Sequence, residues 1–223
     1  HVHCFVLRLP ERTILFDTGI GPPTAPAFAW TGASGRLWDE LEAAGVARED
    51  VELVVISHTH DDHLGWTVDD DGAPAFPGAR YLVHRADVEA LRGSDDAEDR
   101  EIWRKTVAPL EAAGVLDAND APTELDRGLT LIHAPGHTPG HQVLLVDRGE
   151  RAVLSADVTN HPALVEQPKW HQQTDTDPEL ASETRAELLE RFERERRLYV
   201  ASHFAEPRGT IVSGRDARRF RPL

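Results

Sequence analysis

The sequence predicts an α/β protein, and three observations predict it. Short apolar runs at 51–56, 129–133 and 142–146 read as strands. Longer stretches at 34–45, 86–92, 99–113 and 178 to about 197 repeat apolar residues at helical spacing. Several apolar runs end in His or Asp, a polar tip that a strand delivers to the edge of a sheet. Strands and helices interleaved in this way fit the layers of an αβ/βα sandwich.

Each element has its own warrant. Residues 2–8 and 12–17 flank Pro10-Glu11, which predicts a hairpin delivering Asp17-Thr-Gly19 to a tight turn. Ser34 to Gly45 has apolar positions 37, 38, 41 and 44 and a closing glycine, the pattern of an amphipathic helix. Strand 51–56 then runs into Ile56-Ser-His-Thr-His-Asp-Asp-His-Leu-Gly65. After strand 80–84, helices are expected over 86–92 and 99–113, the second with Ile102, Trp103, Val107, Leu110 and Ala113 on one stripe. The closing helix, Pro178 to about Arg197, is acidic at its start and basic at its end, as the helix dipole favours. Its charge run Glu190–Arg197 reads as a solvated face.

The loop from 58 to 63 carries most of the chemistry. It packs His58, His60, Asp62 and His63 into a few residues, and these are poor strand and core formers. Imidazole nitrogen and carboxylate oxygen are ligands that zinc prefers. In an extended loop 58 and 60 point to one side while 62 and 63 point elsewhere, so the segment can serve two adjacent ions. Four ligands cannot close two tetrahedral sites, so others are sought at the ends of later strands. Candidates follow in order: Leu129 to His141 with His137 and His141, Ala152 to Asp157, and Leu198 to His203.

On these marks, the His-x-His-x-Asp-His loop, the Asp17-Thr-Gly19 turn, the Pro-Gly-His-Thr-Pro-Gly-His segment ending at His141, Asp157 and Ser202-His203, the chain resembles the metallo-β-lactamase superfamily over residues 14–203. The resemblance implies two mixed β-sheets packed face to face with helices outside. It implies that His58, His60 and His137 hold one metal, that Asp62, His63 and His203 hold a second, and that Asp157 bridges them. Asp17 would orient ligands from outside the metal shell, and His141 would support the site rather than bind metal. Asp62 and Asp157 are the expected catalytic carboxylates. Two divalent ions about 3.5–4 Å apart lower the pKa of a shared water, so that a metal-bound hydroxide attacks a small ester or lactone. The ions are expected to be zinc, although manganese, iron or cobalt suit the same ligands.

Within the superfamily the chain looks most like the methyl-parathion-hydrolase-like and N-acyl-homoserine-lactonase-like branch, on Gly136 to His141, Gln172 to Asp177 and Ala201-Ser-His-Phe204. That branch adds a promiscuous phosphotriesterase activity to the expectation. Only about twenty residues follow His203, against the glutathione-binding extension of glyoxalase-II-like thioesterases, and no cysteine stands where thiolate β-lactamases need one. A ring-opening tyrosine has no clear match, since Tyr81 and Tyr199 lie in apolar strands. The alternatives are a mononuclear iron oxygenase of the persulfide-dioxygenase kind, a β-lactam or thioester hydrolase of the same fold, and a scaffold without activity. Phe28, Trp30, Trp66, Trp103 and Trp170 flank or follow the metal loops and predict an aromatic substrate wall, with His171 (and His161) in the loop after Asp157 reaching substrate.

Composition agrees with one domain spanning residues 1–223, at 40% hydrophobic and 28% charged residues. A net charge of −15 with scattered Lys and Arg argues against nucleic acid and membrane surfaces, leaving a small-molecule substrate as partner. A homodimer is left open. The single cysteine, Cys4, sits in the alternating run 3–8 and reads as core. No stretch approaches the ~20 apolar residues of a membrane span. A cytoplasmic protein is expected; the chain starts at His1 and has no Met, so a longer gene product, and export, stay open.

Overall fold

The computed structural model describes residues 1–215 and 217–223, which gather into two compact units: residues 2–119, and residues 120–223 with His1.

In the first unit β1 (Phe5–Arg8) and β2 (Thr13–Phe16) form the expected antiparallel hairpin, and β3 (Val51–Val55), β4 (Arg80–His84) and β5 (Leu116–Asn119) follow in parallel. The result is a mixed sheet of order β1-β2-β3-β4-β5. The sequence does not announce β5: Leu-Asp-Ala-Asn lacks the β-branched residues that mark a strand, and pairing with β4 makes it one. The helices are α1 (Phe28–Thr31), α2 (Leu37–Ala43), α3 (Asp61–Leu64), α4 (Arg85–Gly93), α5 (Ala97–Ile102) and α6 (Ala108–Ala112). The expected helix 99–113 is therefore interrupted, by a π turn over Trp103–Val107. Pro109 has no N–H to give to the carbonyl four residues back, which breaks the α ladder at this junction.

The core of this unit joins Leu15, Val54, Tyr81 and Val83 of the sheet to Leu37 and Leu41 of α2, Val88 and Leu91 of α4, and Leu64, Trp66 and Phe76. Two residues expected in the substrate wall belong here instead. Trp66 is buried with its ring centroid 4.6 Å from that of Trp38, and Trp103 packs on the same cluster with the Arg92 guanidinium 4.9 Å above its ring. Large indoles contribute most when their area leaves water, and the core had room for both. Cys4 packs against this cluster as well, and burial pushes its thiol well above the usual range.

In the second unit β6 (Thr123–Asp126), β7 (Leu129–His133), β8 (Gln142–Arg148), β9 (Glu150–Leu154), β10 (Leu198–Val200), β11 (Arg208–Ser213) and β12 (Arg218–Pro222) build a second mixed sheet, ordered β12-β11-β10-β9-β8-β7-β6. Among the described residues of this sheet, neighbouring strands pair antiparallel except β9 and β10, which pair in parallel. Between them come α7 (Ala163–Glu166) and α8 (Pro178–Arg194), the latter capped by the Asp177 carboxylate, which accepts from Leu180 N at 3.0 Å. Leu188, Leu189 and Phe192 of α8 pack on Val143, Val153 and Tyr199 of the sheet.

The charge run Glu190–Arg197 is not wholly a solvated face. The chain turns at Arg196 (φ +52°), and Arg197 folds back, 3% exposed, to donate to the carbonyls of Val146 and Ala152 and to the carboxylates of Asp147 and Glu195. No helix among the described residues is long and apolar enough to cross a membrane.

Candidate metal centre

In residues 2–119 the site is built from the ends of β2 and β3. Their parallel register pairs Phe16 with Val55, so Asp17 and Ser57 leave the sheet side by side. Asp17, at φ +61°, accepts from Ser57 N at 2.7 Å and from Ser57 Oγ at 2.8 Å. A carboxylate only accepts, so the contact of 2.9 Å between His63 Nδ1 and Asp17 Oδ2 is an N–H donation that leaves the lone pair on Nε2. The Ser57 hydroxyl has spent its proton on Asp17 and accepts from His58 Nδ1 at 3.0 Å, which again puts the lone pair on Nε2.

The loop is extended only as far as His60, because α3 starts there and carries Asp62 and His63 on its first turn. His58 Nε2 lies 3.0 Å from His60 Nδ1, and His63 Nε2 3.7 Å from Asp62 Oδ1. Two further features hold the loop. Thr59 N donates to the buried Asp87 carboxylate at 3.2 Å. Gly65 N donates to Gly19 O at 2.7 Å, an approach so close that a Cβ on Gly65 would fall 2.2 Å from Gly21 N.

In residues 120–223 the corresponding groups are His137, Asp157 and His203. Leu154 pairs with Val200 in the parallel register, and Asp157 and His203 each stand three residues past that pair. His203 Nε2 lies 3.1 Å from Asp157 Oδ1, and His137 Nε2 lies 3.5 Å from Asp157 Oδ2. Both imidazoles are turned by their other nitrogen: His203 Nδ1 donates to His1 O at 2.7 Å and His137 Nδ1 to Asp175 Oδ1 at 2.9 Å. His141 is different. It is fully buried, donates through Nδ1 to Ala134 O and accepts through Nε2 from Asp157 N at 3.1 Å, so both nitrogens serve the backbone. Gly136 stands at φ +121° where a Cβ would meet Ala181 N at 2.2 Å, which explains the glycine before His137.

Of the remaining expected pocket residues, Trp30 and Trp170 are 61% and 59% exposed, Phe28 is half-buried and His171 is exposed. Trp30 Nε1 donates to Asp61 Oδ2 at 2.9 Å, and burial raises the Asp61 carboxyl in spite of that bond. His161 faces solvent and accepts from Ala163 N, at the start of α7. Tyr199 is fully buried with its hydroxyl 2.8 Å from that of Thr159, and burial pushes the phenol up to about 12.

Sequence reasoning missed Ser57, Asp87, Gln172, Asp175 and Arg185. Their types are ordinary in loops and helices. The one available signal was the general need of ligating imidazoles for outer partners, and that need does not say where the partners sit in the chain.

The donor set fits divalent metal. All seven of His58, His60, Asp62, His63, His137, Asp157 and His203 offer atoms able to hold an ion. The Nε2 lone pairs of His63, His137 and His203 lie 3.1–3.7 Å from carboxylate oxygens, an arrangement that repels unless a positive charge lies among them. Imidazole and carboxylate without thiolate suit zinc and its neighbours in the first transition row.

Mixed sheets whose strand ends carry such donors define an α/β protein of the metal-site class. The model of the metallo-beta-lactamase superfamily matches residues 1–203, and the chain belongs to that superfamily. An N-acyl homoserine lactonase from Bacillus sp is 31% identical over 160 residues, 66% of this chain and 58% of that protein. The acyl-coenzyme A thioesterase MBLAC2 of Homo sapiens is 29% identical over 178 residues, 73% of this chain and 60% of that protein. The chain thus spans about three fifths of the length of these relatives. Among solved structures, AidC, a dizinc quorum-quenching lactonase in complex with a product N-hexnoyl-L-homoserine, matches with a TM-score of 0.88 at 23% identity, covering 100% of this chain and 79% of that one. Hydrolase AbOPH, of the beta lactamase superfamily, matches at 0.87 and 22%, with the same coverage. These two likenesses speak for the fold.

Proposed function

We propose that the protein is a dinuclear metal-dependent hydrolase of small esters or lactones. His58, His60 and His137 hold one divalent ion, Asp62, His63 and His203 hold the other, and Asp157 serves both. The observation that carries this reading is the Asp157 carboxylate, whose two oxygens face two different imidazoles, at 3.1 and 3.5 Å. When bound, the ions would supply an acidified water and polarise the substrate carbonyl. The chain's own residues do the rest. Asp17, Asp175 and the His1 carbonyl hold the Nδ1 protons of His63, His137 and His203, so each ring presents Nε2. Asp62 and Asp157 are the carboxylates we assign to taking the proton of the attacking water. Exposed Trp30 and Trp170, with Phe28 and His171, are the side chains we assign to a neutral, partly apolar substrate.

The N-acyl homoserine lactonase relative supports a lactone. The thioesterase relative supports a second reading, hydrolysis of an acyl thioester, because a thioester offers the same acyl carbonyl to the same centre. Zinc is the ion we propose. The test is a panel of lactone, aryl ester, acyl thioester, phosphotriester and β-lactam on protein of defined metal content. Lactone or ester turnover that follows occupancy by two ions supports the reading, and full activity with one ion or none overturns it.

A further inference from the structure

α8 carries an arginine that nothing in the hydrolytic chemistry calls for. Arg185 sits mid-helix, 1% exposed, and all three of its side-chain nitrogens donate into residues 158–175. Nε donates to Val158 O at 2.7 Å, Nη1 to the carbonyls of Pro168 and Trp170, and Nη2 to Asp175 Oδ2 at 3.3 Å. A buried guanidinium is costly unless it is hydrogen-bonded and paired, so these partners hold Arg185 in one fixed geometry.

The other end of the same carboxylate reaches a candidate ligand. Asp175 Oδ1 accepts from His137 Nδ1 at 2.9 Å, while Asp175 Oδ2 also accepts from Gln172 N at 2.8 Å. Gln172 in turn donates through Nε2 to Asp157 O at 2.9 Å. We propose that Arg185 is a positioning residue: through Asp175 it fixes the tautomer and aim of His137, and through three backbone carbonyls it fastens the segment 158–170, including exposed Trp170, to the same anchor. The metal part of this inference rests on the hydrolase reading above; the tautomer part does not.

A planar guanidinium is required for the role, because it reaches three carbonyls and a carboxylate in fixed directions, whereas an ammonium is a single point donor that cannot span them. Arg185→Lys therefore keeps the charge and removes the geometry. Nitrogen-15 shifts of the imidazoles, read on chelated protein, are expected to show His137 with its proton on Nδ1 in the parent and a mixture of tautomers in Arg185→Lys. Chelator competition is expected to show metal affinity lowered by roughly 10- to 100-fold, the usual effect of losing an outer partner.

Asp175→Ala should produce at least the same loss, and the double variant should be no worse than Asp175→Ala alone, since both act through one carboxylate. Independent, additive losses, or a His137 tautomer unchanged in Arg185→Lys, would overturn the proposal. Should Arg185→Lys fail to fold, Asp175→Ala, which removes both oxygens, carries the tautomer test, and an unchanged His137 there overturns the proposal equally, since Arg185 reaches His137 only through that carboxylate. A parent protein that takes up no metal while the tautomer still shifts on Arg185→Lys would sink the hydrolase reading and leave the positioning role standing.

Discussion

Asp157 and His203 lie far apart in the chain, yet Asp157 Oδ1 stands 3.1 Å from His203 Nε2. The parallel pairing of Leu154 with Val200 brings them there, because each side chain follows its strand by the same three residues. The other carboxylate oxygen faces His137. A carboxylate shared in this way makes Asp157 the residue whose loss is expected to cost most. If the proposed dinuclear reading holds, Asp157→Ala should weaken both sites and lower turnover by more than the roughly 10- to 100-fold that loss of an outer hydrogen-bond partner brings. Elemental analysis of the purified variant checks this, and retention of two ions would refute the bridging role.

Asp17 touches no candidate ligand atom but sets one. Asp17→Asn tolerates the left-handed backbone at φ +61° and keeps the acceptor for Ser57 N, yet it weakens the hold on the His63 Nδ1 proton. Metal affinity is expected to fall by roughly 10- to 100-fold with little change in fold. Titration against a chromogenic chelator, with circular dichroism as control, measures both; parent-like affinity would show that Asp17 serves only the turn.

The tryptophans separate into two kinds. Trp66→Ala should destabilise by roughly 3–5 kcal/mol, as loss of a buried aromatic does, and Trp103→Ala by less because it is only partly buried. Trp170→Ala should leave the urea midpoint almost unchanged and instead flatten the dependence of kcat/KM on acyl chain length. In the parent each added methylene is expected to be worth at most ~0.8 kcal/mol. A chain-length profile identical in Trp170→Ala and parent would remove Trp170 from the substrate surface.

Acid stability should depend on Arg197. Hydrogen bonding to the Arg197 guanidinium lowers the Asp147 carboxyl from its ordinary 3.8, with help from Arg151. Burial alone would raise Glu195, but hydrogen bonds from Arg191 and Arg197 outweigh it and hold the group below its ordinary 4.5. Groups depressed in the folded state stabilise it fully above their unfolded values and lose that contribution as pH falls through the folded ones. Urea midpoints should therefore fall from about pH 4.5 downward in the parent and show a shallower slope in Arg197→Met. Equal slopes would show that these pairs are screened to insignificance.

Much of this architecture is legible in the sequence because it is written locally. Strand and helix periods, the glycine after α2, the acidic cap of α8 and the clustered histidines of 58–63 are each determined within a few neighbouring residues. The candidate ligands could be chosen because each ends an apolar run, and a strand end is where a sheet presents polar groups. Only the tertiary structure decided the rest. Leu116–Asn119 is a strand because β4 offers a partner, and Trp66 and Trp103 are core because the space against Trp38 and Arg92 took them. Asp175, Gln172, Asp87 and Arg185 gained their roles from hydrogen bonds that close across many residues, and no local pattern records such a closure. A side chain's period along the chain says which face it occupies; what waits on that face is set by how distant segments pack.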